Sequence, residues 1–443
     1  MSNTVLAPSE VTVDQRSLRR IAASAFAGTA LEWYDFFLFS TASAIVFHHL
    51  FFSHASSTAS RLASFATFGV GFLARPLGAI LFGQLGDRLG RRPALILSIV
   101  TVGAATGLVG ALPTYASAGI LAPALLTLLR LVQGVAVGGE WGGATTMAIE
   151  HAPAELRGRY AAVVQLGSPA GTLLSSGAFA LVFLLWPNSV DTFAWRIPFL
   201  AAFPLLFVAL WIRMHVEESP VFEQLVAVDD APRATISELF RVSKRQLALA
   251  TATTLLGIGG YFLMNTYVMS YATTTFGMSR QVVVNATLLA ACVQVLVIVT
   301  SGRLTHRFRA GHIAGWGALA TAALAWPLWV LIDTGQPWAV TTAICVGICV
   351  LTVPYAVSGI IVAELFPPAT RYSGIDIGAN IAGAISGCLP FAATALGAST
   401  GAGEGHASSL PAIVILVGIS LATAVGGFVG EQFREPDAIT VRT

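Results

Sequence analysis

The 443 residues are 55% hydrophobic and only 10% charged, with a formal net charge of +2. An ordinary soluble domain carries about a quarter charged residues, so this balance excludes a soluble enzyme and points to a chain that lies mostly in hydrocarbon. Glycine (43) and proline (20) are abundant, as in helices that pack closely and bend within a membrane rather than in low-complexity disorder.

A helix needs about 20 mostly apolar residues to cross a hydrocarbon layer, and twelve such runs can be counted between short polar breaks. Six lie at 21–47, 62–85, 94–112, 120–149, 161–185 and 193–212, and six more at 247–271, 282–299, 313–332, 338–362, 375–396 and 410–429. The expected organisation is a tail (1–20), a six-helix half (21–213), a linker (214–246), a second six-helix half (247–430) and a tail (431–443). Arg16, Arg19 and Arg20 precede a full-length span, and no small-residue cleavage site follows a short apolar core. The first span is therefore expected to stay in place and act as its own signal.

With the N-terminus placed inside, nineteen of the 24 lysines and arginines fall in cytoplasmic segments. Arg61, Arg196 and Arg280 fall on the other side, and Arg75 and Arg130 lie within spans. The positive-inside rule then puts both termini in the cytoplasm. The four cysteines, Cys292, Cys345, Cys349 and Cys388, all fall in predicted helices without a histidine or carboxylate beside them, so buried thiols and no metal site are expected. His48, His49 and His54 cluster at the outer end of the first span and read as loop histidines.

The chain also repeats itself. Glu150, Pro153 and Arg157 return as Glu364, Pro367 and Arg371 at a constant offset of 214, and GQLGDRLGRR (83–92) is echoed by GRLTHRFRAG (302–311) at an offset of 219. Both echoes sit at equivalent places in the two halves, as in a duplicated fold whose halves rock about a site near the midplane.

The loop GQLGDRLGRR resembles the signature loop of the major facilitator superfamily. Within it the chain is similar to the metabolite:proton symporters, through LEWYDFFLF, RLVQGVAVGGEWGG, WRIPFL, EESPVF and AELFPPATRYSG. That resemblance implies an all-α integral membrane protein of twelve transmembrane helices in two six-helix halves, sited in the bacterial cytoplasmic membrane. It further implies proton-coupled uptake of a small organic acid by alternating access, without enzymatic activity or cofactor. GGEWGG followed by EHAP is nearest to the shikimate-type branch; other members take up oxoglutarate, citrate, or proline and betaine. Uptake of a zwitterion and proton-antiporting export are the alternatives, and the fifth span, QLGSPAGTLLSSG, lacks the Gly-Pro dipeptide of exporters. The implied partners are a small-molecule substrate, a proton and the lipid bilayer, with no nucleic acid, in a monomer. No GxxxxGK[ST] loop is present for direct ATP drive.

The resemblance makes Gly83, Asp87, Arg88, Gly90, Arg91 and Arg92, with Arg157, Arg307 and Arg371, a cytoplasmic gate. In the second loop His306 stands where aspartate, and Arg309 where glycine, would continue the pattern, so that lock is expected to be weaker or differently paired.

Charges within spans must face an interior, since each costs roughly 2.5 to 3.5 kcal/mol against lipid. Glu32, Asp35, Arg75, Arg130 and Glu140 form this set, and Asp376 lies nearer a span end. Asp35 with Arg130 resembles the proton-coupling pair of sugar porters. Glu32, three residues before Asp35, lies on nearly the same face, so either acid is a candidate proton carrier. Glu140 is open to pairing with Arg75 or to binding freed backbone. Arg75 is the arginine offered to a substrate carboxylate, because a guanidinium grips such a group with two hydrogen bonds. Gln133, Trp141, Gln165, Tyr261, Asn265, Tyr267, Tyr271 and Asn380 are the neutral cavity candidates.

Overall fold

In hydrocarbon a backbone must satisfy its own polar groups, and the α-helix does so within one segment. In the computed structural model, residues 15–53, 56–89, 91–138, 157–214, 243–366, 371–400 and 408–433 are described, and among them there is no strand. Helices fall on all twelve predicted spans. Among the described residues nine helical runs are long and apolar enough to cross a membrane, and Ile96–Val109 and Leu121–Val137 are shorter apolar helices.

The first helix, Gln15–Ile45, starts inside the segment read as a tail. Hydropathy marks the part of a helix that lies in lipid, not where its hydrogen bonding begins. The second span breaks at Ala74 into Ser57–Leu73 and Arg75–Leu89, and the fifth at Leu166 into Arg157–Gln165 and Gly167–Leu185. The third and fourth are Arg91–Val109 and Leu121–Val137; residues 139–149 of the predicted fourth span lie outside the described residues. The sixth runs through Arg196–Leu200 and Ala202–Met214. The seventh opens as Lys244–Leu255, widens into π-helical turns at Leu256–Gly260 and Phe262–Tyr267, and closes as Val268–Thr275. The remainder are Arg280–Leu304, Ala310–Asp333, Pro337–Glu364, Arg371–Thr400 and Leu410–Gly430, and proline lies inside three of them at Pro327, Pro354 and Pro390. Residues 215–242, most of the predicted linker, lie outside the described residues.

Glycines set how closely the second and fourth spans approach. A Cβ on Gly134 would strike the Gly71 carbonyl, and one on Gly78 would strike that of Val135. Backbone therefore lies on backbone along this seam, which fixes the relative depth of the two helices. The halves meet where the second span packs on the eleventh, the fifth on the eighth and tenth, and the first on the seventh. At the end of the bundle away from the termini, Arg280 pairs with Asp191 at 2.8 Å and Arg61 donates to Thr274 at 2.8 Å, each contact joining one half to the other.

Candidate functional site

Two buried ion pairs occupy the core of the first half. Asp35 Oδ2 meets Arg130 Nη1 at 3.2 Å, and Glu32 Oε1 meets Arg75 Nη2 at 2.7 Å. Asp35 Oδ1 also accepts from Gln133 Nε2 at 2.6 Å and from the Thr106 hydroxyl. Three donors from the third and fourth spans thus hold one carboxylate of the first. Residues three apart on a helix differ by about 60° in direction, so Glu32 and Asp35 reach different neighbouring spans. The expected crowding of two acids is resolved by one arginine apiece.

Arg130 is fully buried, yet its Nε and Nη2 find no hydrogen-bond acceptor among the described residues. Its guanidinium lies instead against the rings of Phe39 (4.4 Å to the centroid), Phe36 (4.8 Å), Phe68 (5.5 Å) and Phe72 (5.9 Å). Arg75 lies 4.2 Å from Phe36 and 4.9 Å from Phe72. A desolvated cation over an aromatic face gains about 2 kcal/mol, which offsets hydrogen bonds the guanidinium does not make. Gly71 makes the room: a Cβ there would come within 2.9 Å of Arg130 Cζ.

Between the halves lies a central cavity of ≈ 20 Å³, lined by Glu32, Trp33 and Arg75 from the first half and by Tyr355, Ser358, Asp376 and Asn380 from the second. A single water needs about 10 to 15 Å³. The cavity in this conformation therefore has room for about one water and is closed to an organic solute. Hydrogen bonds between halves draw its walls together: Asn380 Nδ2 donates to the Gly138 carbonyl at 2.8 Å, and Gln165 Nε2 donates to the Tyr355 carbonyl at 3.1 Å. A second cavity of ≈ 40 Å³, between the first, third and sixth spans, is bordered by Glu32, Asp35 and Thr106. Glu32 borders both spaces.

The structure sorts the sequence candidates. Asp35, Arg130, Glu32 and Arg75 come together, with Glu32 as the partner of Arg75; Glu140, the partner considered from sequence, and Trp141 lie outside the described residues. Asn380 lines the central cavity and Gln165 braces its wall. Gln133 donates to Asp35 and does not line the central cavity in this conformation. Asn265 accepts from Thr287 at 2.6 Å and is a bond between two helices of the second half. Tyr261 meets Thr172 at 2.9 Å across the halves. Tyr271 donates to Asp333 at 3.0 Å and stacks on Tyr267 at 5.9 Å, away from the cavity. In each case amphipathic character is used for helix packing, which hydropathy alone does not distinguish from cavity lining.

Of the gate residues, Gly83, Asp87 and Arg88 lie in the last turns of the second span, and Arg91 and Arg92 open the third. Arg157 and Arg371 open the fifth and eleventh spans, and Arg307 is exposed after the eighth. Gly90 and the side chains of Asp87, Arg88, Arg91, Arg92, Arg157 and Arg371 lie outside what is described. The departure at Arg309 has its own arrangement. Glu431, from the segment read as a tail, accepts from the Gly311 amide at 2.9 Å and lies 3.9 Å from Arg309 Nε. A carboxylate thus meets the positive end of the ninth helix. Trp33, Phe36, Thr106, Tyr355 and Ser358 were not singled out from sequence. Trp33 and Phe36 flank Asp35 within LEWYDFF, and that adjacency was the available signal.

A family profile described as Major Facilitator Superfamily matches residues 25–391. The shikimate transporter of Escherichia coli K12 is 35% identical over 403 residues, spanning 89% of this chain and 92% of that one. The proline/betaine transporter of Salmonella typhimurium LT2 is 31% identical over 388 residues, spanning 85% and 77%. Among solved structures, a D-xylose-proton symporter superposes with a TM-score of 0.72 at 18% identity, covering 94% of this chain and 98% of that one, which is a likeness of fold. The chain is therefore a multi-pass membrane transporter that belongs to the Major Facilitator Superfamily.

Proposed function

We propose that the protein takes up a small organic acid together with a proton. Its halves, 21–213 and 247–430, would rock about the central cavity, with both termini in the cytoplasm and the monomer as the working unit. The observation that carries this reading is the buried Asp35–Arg130 pair, beside a second arginine, Arg75, which lines the cavity wall and is bound to Glu32 one helical turn before Asp35. A proton on Asp35 removes the carboxylate charge that faces Arg130, and so biases the equilibrium between the two arrangements of the halves. Arg75 takes the substrate carboxylate, while Asn380 and Ser358 are placed for hydroxyl groups. Membrane potential adds about 2.3 kcal/mol per net charge per 100 mV.

Relatedness to a proline/betaine transporter, with Trp33 and Asp376 on the cavity wall as partners for a cation, favours uptake of a zwitterion as the second reading. Purified protein in liposomes tests both. Under an inward proton gradient, labelled shikimate, oxoglutarate, citrate, protocatechuate and betaine are offered with and without uncoupler. Uncoupler-sensitive accumulation of an acid supports the first reading, and accumulation of betaine alone replaces it with the second. Extrusion of lipophilic dyes with no accumulation removes both.

A further inference from the structure

The two ion pairs are not independent, because one ring stands between them. Phe36 is fully buried and directly follows Asp35 in the chain. Arg75 lies 4.2 Å and Arg130 4.8 Å from its centroid. Phe72 also touches both guanidiniums, but at 4.9 and 5.9 Å, so Phe36 is the ring that holds the two cations nearest. The contacts run in the order Asp35, Arg130, Phe36, Arg75, Glu32, from the buried pair to the wall of the central cavity.

Arg130 is held loosely by its acceptors. Among the described residues only its Nη1 has acceptors, Asp35 at 3.2 Å and Gln133 at 3.4 Å, and the rest of the guanidinium rests on aromatic faces. When Asp35 gains a proton, those faces are what keeps the cation in place. The cluster then carries one more positive charge than before, with two buried guanidiniums against a single ring where screening is weaker than in bulk water. That excess acts on Arg75, which also feels Glu32 and, from the eleventh span, Asp376. An anion arriving at the cavity restores the balance. By linkage, a substrate carboxylate on Arg75 then favours the proton on Asp35 by the same factor.

We propose that Phe36 is the positioning residue that couples proton occupancy of Asp35 to carboxylate binding at Arg75, its ring face being the shared support of both guanidiniums. The role rests on the reading of the protein as a proton-coupled carrier of an organic anion. It differs from packing in what it predicts. A filler residue supports every step of transport alike, whereas a coupling residue leaves exchange intact and loses the link to the gradient.

The test measures two quantities for each variant in liposomes: counterflow exchange of labelled shikimate at equal pH on both sides, and accumulation under an inward proton gradient. If shikimate is not carried, the acid of the panel that is carried serves as the probe. Position 36 is filled with phenylalanines of increasing fluorine content, which keep the ring's shape while withdrawing the negative charge of its face. Accumulation relative to exchange should fall step by step, by about tenfold at the highest fluorination, with exchange within roughly twofold of the parent. Phe36→Leu should reproduce the loss and Phe36→Tyr should restore it. Phe47→Leu, a buried ring packed on Trp195 and Phe199, should leave the ratio unchanged.

A flat ratio across the fluorinated series overturns the proposal, as does a parallel fall of exchange and accumulation. Should Phe36→Leu not fold, the fluorinated series decides by itself. Wild-type protein that exchanges an acid yet never accumulates it defeats the symport reading and the coupling role together. Wild-type accumulation with a flat series removes the role of Phe36 alone.

Discussion

The two halves share a six-helix plan but divide the physical work between them. The first concentrates ionisable groups: Glu32, Asp35, Arg75 and Arg130 all lie within three spans, paired, and encased by Phe36, Phe39, Phe68 and Phe72. The second contributes Asp376 as its buried charge among the described residues. Its seventh span holds two π-helical turns, and Pro327, Pro354 and Pro390 interrupt three others. The glycine contacts at Gly71, Gly78 and Gly134 hold the second and fourth spans in register where the charges sit, and the widened turns and prolines give the second half places to bend besides the breaks at Ala74 and Leu166 in the first. A rigid proton site facing a deformable partner is a division that mutation can test.

The largest effect is expected at the proton site. Asp35→Asn leaves Arg130 buried without its counter-ion, and breaking a buried pair in this way costs about 3 to 5 kcal/mol. Thermal unfolding in detergent should show that loss, and gradient-driven accumulation should vanish while exchange persists. Accumulation equal to that of the parent would remove Asp35 from the coupling role. Next, Gly71→Ala puts a methyl group against the Arg130 guanidinium. Overpacking of this kind costs typically 1 to 3 kcal/mol, and the accompanying shift of Arg130 should weaken accumulation. An alanine tolerated at no cost would show the seam to be less rigid than its backbone contacts imply.

A pH effect of similar size is expected where the halves meet at the end away from the termini. The His48 ring lies tilted against that of His49 at 3.9 Å between centroids, and burial, with His49, Arg280 and Arg61 nearby, pushes its pKa from 6.5 down to about 3. The unfolded chain binds this proton below pH 6.5 and the folded protein does not. Stability is therefore complete above pH 6.5 and falls as pH drops toward 3, by at most about 1.4 kcal/mol per unit. Unfolding temperatures at pH 7.5 and 5.5 should differ for the parent and differ less for His48→Gln. Equal slopes would assign the acid sensitivity elsewhere. The smallest effect belongs to the second half. Asn265→Leu removes one bond between helices, to Thr287, worth about 0.6 kcal/mol on average in membrane proteins. A loss several times larger in exchange assays would move Asn265 back to the substrate path.

The contrast between halves was partly legible beforehand. The charges within spans stood out against their apolar neighbours, and Asp35 with Arg130 was paired from resemblance before any geometry. The polar candidates were harder. Gln133, Asn265, Tyr267 and Tyr271 each look like cavity residues in one dimension, and each has a partner that only folding supplies, Trp329 in the case of Tyr267. Glu431 read as part of a tail because it follows the last apolar run, yet it meets the amide end of the ninth helix.

Composition and hydropathy determined that this chain is a membrane protein, where its helical segments fall, and which charged residues need an interior. Those properties are local, because each span must satisfy its own backbone and expose its own side chains to lipid. The tertiary structure decided which arginine serves which acid, that Gln133 and Thr106 belong to Asp35, and that Phe36, more closely than Phe72, touches both guanidiniums. Such pairings depend on the rotation and depth of each helix against its neighbours. Close backbone contacts along glycine seams set that relation, and no single segment contains it.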